Sequence, residues 1–126
     1  MHDPLTLSVM PGRLAIARLA PDAPLPAAVG SALWSATRTA DELSLVCDEA
    51  AVPAGAQRVE RGWRALRVHG PIAFDVTGVI AGLTAALAAA GIPVFALSTY
   101  DTDYLLVRES HLERALEVLG GRFRVA

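Results

Sequence analysis

Five polar side chains crowd one short turn: Ser98, Thr99, Asp101, Thr102 and Asp103, between the apolar runs Phe95-Ala96-Leu97 and Tyr104-Leu105-Leu106-Val107. A tight turn uses one or two such groups on its own backbone. This one carries more acceptors than that, and water is only their default occupant. Two carboxylates at this spacing suit an ammonium or a basic side chain, bound by charge-assisted hydrogen bonds. They are too few for calcium, which takes roughly six to eight oxygens. Catalytic chemistry is weakly represented. His2 lies at a terminus, His69 in a loop before Gly70, and His111 where a helix is expected to open. No nucleophile–base pair is suggested by spacing, and Cys47 reads as a small hydrophobe inside a strand. The expectation is a binding protein, not an enzyme.

Bulk properties narrow the class. The chain has 126 residues, 53% hydrophobic and 19% charged, which is ample material for a core in one compact domain or two fused half-size units. A net charge of −2 gives no basic footprint for nucleic acid. One cysteine allows no intrachain disulfide and suits a reducing compartment. Met1-His2-Asp3-Pro4 has neither a basic nor an apolar leader region, so a cytoplasmic location is expected. Residues from Val76 to Tyr100 carry no charge and are numerous enough to span a bilayer. Gly91 and Pro93 interrupt that stretch, so it reads as a helix followed by a buried strand, with no membrane span.

The elements that must position the polar turn come in two sets. Trp34 to Val46 aligns without gaps on Phe95 to Val107, with Thr37 on Ser98, Asp41 on Thr102 and Glu42 on Asp103. Such an internal repeat implies two related units of about 60 residues, each marginal alone. The boundary is expected near Arg61, giving units 1–60 and 61–126. In the first, Leu5 to Val9 reads as a strand, Leu14 to Leu19 as a strand or helix, and Ser31 to Thr39 with Leu43 to Asp48 as a hairpin. In the second, Trp63 to Val68 is a strand and His69 to Ile72 a loop. A helix follows from Asp75, its apolar stripe being Val76, Val79, Ile80, Leu83 and Leu87. Asp75 is placed to cap it, and Gly91 with Pro93 ends it. The hairpin comes next. Ser110-His111-Leu112-Glu113 is a capping-box signature for a helix ending at Gly120-Gly121, and Arg122 to Val125 is a last strand. The order βαββαβ is ferredoxin-like, an α+β fold with both helices on one face of an antiparallel sheet.

On these residues the chain resembles the ACT domain family. The string Trp63-Arg64-Ala65-Leu66-Arg67-Val68, then Gly70-Pro71, Thr77-Gly78 and Ser98 through Tyr104, is similar to small bacterial tandem ACT-domain proteins related to the animal cytosolic arginine sensor. Thr37-Arg38-Thr39 with Asp41-Glu42-Leu43-Ser44 resembles the first-domain counterpart. The resemblance implies a complete ACT domain over 61–126 preceded by a degenerate ACT-like half over 1–60. It also implies a regulatory role, a free amino acid as ligand, a basic one among the candidates, and pairing into a homodimer. The residues it points to are Asp103 and the loop His69, Gly70, Pro71 and Ile72.

An amino acid presents a carboxylate and an ammonium. The carboxylate suits the N-terminus of the helix opening at Asp75, with Thr77 nearby. Gly70 lets a ligand approach the backbone with no Cβ in the way. The positive group would pair with Asp103, supported by Asp101, Ser98 and Thr99, and with Glu42 by the repeat. Three or four charge-assisted bonds at about 1.5–3 kcal/mol each cover the about 4–8 kcal/mol of millimolar to micromolar binding. Two plainer readings stand beside this one. The turn residues could serve only their own backbone, with Asp75 a cap and no more, and the protein could be a ligand-free dimerisation module.

Overall fold

The computed structural model describes residues 6–28, 30–70, 78–121 and 123–126. The expectations at Pro71, Ile72, Asp75 and Thr77 lie outside the described residues. The elements follow in order: β1 (Thr6–Val9), β2 (Leu14–Leu19), β3 (Ser35–Arg38), β4 (Leu43–Asp48), β5 (Arg58–Val68), α1 (Val79–Ala89), β6 (Phe95–Ser98), β7 (Asp103–Arg108), α2 (Leu112–Gly120) and β8 (Arg124–Val125). From β5 onward this is the expected βαββαβ succession, and the fold is α+β. The chain divides into two compact units, one of Met1–Met10 with Arg64–Ala126, the other of Pro11–Trp63. The expected boundary near Arg61 falls close to the second junction. The described residues Thr6–Met10 group with Arg64–Ala126.

In that C-terminal unit the strands run β8, β1, β5, β7, β6. β1 lies between the unit's own first and last strands, antiparallel to β5 with Leu7 opposite Val68 and parallel to β8 with Leu7 opposite Val125. One parallel pair therefore enters a sheet expected to be antiparallel throughout. The reason is hydrophobic: Leu7 is fully buried beside Leu66, Val68, Leu105 and Val107. Leu83 and Leu87 of α1 and Ala115 and Leu119 of α2 complete the same cluster, so both helices cover one sheet face, as expected. Among the described residues β6 pairs only with β7 and leaves Ala96 and Ser98 exposed, an edge strand where a buried one was expected.

Both helix starts differ from expectation. Gly78 precedes α1 at φ 84°, a left-handed conformation suited to glycine, so the described helix opens at Val79 instead of Asp75. The chain enters α2 through a 3-10 turn over Glu109–His111, and no side chain caps the helix, so the Ser110–Glu113 capping box is not made. The end of α1 is as expected. Gly91 sits at φ 72°; its N–H donates to Ala88 O at 2.9 Å, and the Ile92 N–H donates to Leu87 O at 2.9 Å. This is a Schellman termination, and Ile92 and Leu87 supply its hydrophobic contact.

The Pro11–Trp63 unit holds β2, β3, β4 and the first part of β5, with no α-helix among its described residues. β2 is a strand, flanked by β4 on one side and β5 on the other, with a register shift between Leu14 and Ile16. Its core gathers Ala17, Leu19, Leu43, Leu45 and Cys47, with Trp34 packed against them. Across the chain, no described helix is long and apolar enough to cross a membrane. Leu7→Ala removes a fully buried side chain from the C-terminal unit and is expected to cost about 2–5 kcal/mol, read from urea melts. A loss under about 1 kcal/mol would contradict the placement of β1 in that core.

Candidate functional site

The polar turn and the loop after β5 meet. In the turn, the Thr99 N–H donates to Thr102 O at 2.9 Å, and the Thr102 N–H donates to Thr99 Oγ1 at 3.4 Å. Thr99 thus serves its own turn, as the plainer reading allowed. Ser98 Oγ donates to Asp103 Oδ1 at 2.6 Å across the first pair of the hairpin. A carboxylate offers about four acceptor positions, so Asp103, half-buried, keeps capacity beyond Ser98. Asp101 is exposed at the tip.

Thr102 is the residue the sequence reasoning did not single out. Its side chain is only 4% exposed, and it is the single buried polar residue among the described ones. Its hydroxyl donates to Val68 O, the last carbonyl of β5, at 2.6 Å. This bond draws the hairpin onto the strand exit so closely that a Cβ on Gly70 would lie 2.9 Å from Asp101 O and 3.0 Å from Thr102 Cβ. The missing Cβ at Gly70 therefore accommodates the protein's own hairpin. On the other side the His69 N–H donates to Thr6 O at 2.8 Å, and His69 Nε2 lies 3.0 Å from Ser8 Oγ. Gly70, His69, Ser98, Asp101 and Asp103 are thus brought to one end of one unit. No sequence signal separates Thr102 from the other four polar turn residues.

The hairpin of the other unit corrects the repeat. Ser35 pairs with Val46 and Phe95 with Leu106, a displacement of 60 positions on both strands. The gapless alignment used 61. At 60, the buried triplet Leu45, Val46 and Cys47 falls on the buried triplet Leu105, Leu106 and Val107. A slip of one residue would turn every side chain to the opposite face. Thr39 then matches Thr99, Asp41 matches Asp101, Glu42 matches Thr102, and buried Leu43 takes the place of Asp103. The turn chemistry agrees: Thr39 Oγ1 accepts from the Asp41 and Glu42 N–H groups at 3.2 and 3.3 Å. Glu42 is not the counterpart of Asp103 in the hairpin register. It pairs with Arg18 at 3.5 Å inside its own unit.

Other candidates are quieter. A depression of about 600 Å³ in the Pro11–Trp63 unit is lined by Gly12, Arg13, Asp48, Glu49, Ala50 and Arg61. Its groups engage one another, with Arg61 Nη1 donating to Glu49 O at 3.0 Å and the Gly62 N–H to Glu49 Oε2 at 2.8 Å. Burial, seconded by the Asp48 charge, pushes the Cys47 thiol up, against the lowering effect of Arg61, so it is a poor nucleophile. Among the described residues no three His, Cys, Asp or Glu side chains gather around a metal-sized space.

Comparison with known proteins agrees with this fold. The model of the ACT domain matches residues 58–120, and a second model, described as an N-terminal domain, matches residues 12–55. The chain belongs to the ACT domain family. The cytosolic arginine sensor for mTORC1 subunit 1 of Homo sapiens is 39% identical over 61 residues. That match takes in 48% of this chain and 18% of the sensor, so the chain spans about a fifth of the length of the curated relatives it matches. A crystal structure of an Agobacterium tumefaciens protein is 37% identical, with a TM-score of 0.89, over 99% of this chain and 94% of that one. The ligand-free regulatory subunit of aspartate kinase from Thermus thermophilus shares the fold at 12% identity, with a TM-score of 0.67, over 97% of this chain and 100% of that one. The family places this chain among relatives of amino-acid-sensing and regulatory domains.

The Thr102 bond carries a direct prediction. Thr102→Val keeps the shape but leaves the Val68 carbonyl without its donor, at an expected cost of about 1–3 kcal/mol. Thr102→Ser restores most of it. Equal melting midpoints for the valine variant and the parent would show that the bond does not hold the hairpin.

Proposed function

We propose that this chain is a non-catalytic regulatory module that binds a free amino acid where the His69–Gly70 loop meets the 98–103 hairpin. The observation that carries the reading is the Thr102 to Val68 bond, because it joins the backbone of the loop to an acidic turn. Asp103, with Asp101 beside it, takes the positive group. Ser98 orients the Asp103 carboxylate through their 2.6 Å bond. Ile72, Asp75 and Thr77, in the sequence leading to α1, supply the ligand carboxylate with backbone N–H groups, and Pro71, which has none, offers only its ring. A basic amino acid fits two carboxylates best, and the relative named an arginine sensor makes arginine the first candidate. The unit Pro11–Trp63 is a degenerate ACT-like copy. Two chains pair as a homodimer in the cytoplasm, and the ligand changes that pairing.

A thermal-shift panel of the common amino acids at millimolar concentration tests the reading. A ligand at 100 times its Kd stabilises the native state by about 2.7 kcal/mol. The expected outcome is a rise in Tm with arginine or another basic amino acid, lost in Asp103→Asn. A flat panel, together with a dimer that ignores every amino acid in light scattering, would instead favour a structural pairing module.

A further inference from the structure

The two units repeat more than a hairpin. In each, the strand beside the hairpin's inner strand exits next to the turn: β5 at His69 by the turn 99–102, and β2 at Ala20 by the turn 39–42. The loop after β2 folds back on itself, the Ala23 N–H donating to Ala20 O at 3.0 Å. That leaves the carbonyls of Pro21 and Ala23 as acceptors, and one side chain takes both. The Arg38 guanidinium donates from Nη1 to Pro21 O and from Nη2 to Ala23 O, the latter at 2.8 Å. At the displacement of 60, Arg38 stands where the ACT unit has Ser98, whose short side chain is bonded to Asp103. A second arginine covers the turn itself. Arg18 Nη2 donates to Asp41 O at 3.1 Å, and its Nη1 lies 3.5 Å from Glu42 Oε2.

A guanidinium on two carbonyls of a strand-exit loop, with another on the acidic turn, takes up the acceptors that a cationic ligand would need at such a junction. We propose that the Pro11–Trp63 unit is a self-occupied copy of the site, in which Arg38 and Arg18 stand in for a guanidinium ligand. The chain then has one receptive unit, the one with Ser98, and binds one ligand per chain. Removal of Arg38 frees the two loop carbonyls of the closed copy, while Arg18 still covers its turn. This rests on the proposed function for the stoichiometry, though the occupancy of the closed copy is tested without it.

Chemical rescue reads the occupancy. Arg38→Ala in the full chain is expected to lower Tm by about 2–5 °C, the size expected for losing about 1 kcal/mol in a domain of this length. Methylguanidinium at low millimolar concentration is expected to recover at least half of that loss while leaving wild type unmoved. Arg38→Lys, whose ammonium has no planar fork for both carbonyls, is expected to fall between the two. An alanine variant as stable as wild type overturns the proposal, and so does a loss that methylguanidinium does not recover selectively. Calorimetry with arginine then counts sites: one per chain in wild type agrees with a closed copy, and two per chain overturns it. No heat in wild type with arginine or any other basic amino acid would sink the proposed function, whereas the rescue would still decide the state of the Arg38 loop.

Discussion

One buried hydrogen bond organises the end of the C-terminal unit where the 98–103 hairpin meets the exit of β5. The Thr102 hydroxyl, shut away from water, satisfies the final carbonyl of β5 at the point where the strand becomes a loop. A buried hydroxyl without a partner is costly, and so is a buried carbonyl. Each removes the other's penalty, which makes the pairing hard to exchange for anything else. The consequence is steric. With the hairpin drawn in, the position two residues beyond Val68 has no room for a Cβ, and Gly70 stands there. The acidic groups of Asp101 and Asp103 then lie on the turn that crosses the loop. The geometry of this junction thus follows from a packing requirement.

The same economy appears in the frame behind the site. β5 serves both units: Arg58 to Trp63 pairs with β2, and Leu66 to Val68 pairs with β1. Gly62, at φ 77°, lies in the irregular stretch of β5 opposite Leu14 and Ile16, and its N–H donates to Glu49 Oε2 at 2.8 Å. The C-terminal unit also draws a strand from the far end of the chain. Leu7 fills its core from β1, so the ACT unit as folded is discontinuous in sequence.

Much of this could be read before any coordinates. The βαββαβ order, the hairpin, the glycine stop of α1 and its apolar stripe from Val79 to Leu87 follow from periodicity and turn chemistry, and they recur in the structure. What could not be read was non-local or one residue wide. Nothing in Leu5 to Val9 says which unit it joins, because strand pairing depends on the partner strand. The repeat slipped by one position because Leu45-Val46 matches Leu106-Val107 in residue type as well as Leu105-Leu106, and only the hairpin register separates the two. That slip gave Glu42 the role of Asp103, where Leu43 in fact stands. The capping box at Ser110 failed because a 3-10 turn already leads the chain into α2. Thr102 was hidden among four equally polar neighbours, since burial is decided by the sheet and not by the turn.

The central claim is that an amino acid sits at the junction held by Thr102, in one unit and not in the other. A titration of the ¹⁵N-labelled full chain with arginine, followed by two-dimensional NMR, tests it most directly. The account predicts saturable shifts concentrated at residues 69–70 and 98–103, with residues 20–23 and 39–42 unmoved. Shifts absent everywhere, or centred on the 39–42 hairpin, would contradict it.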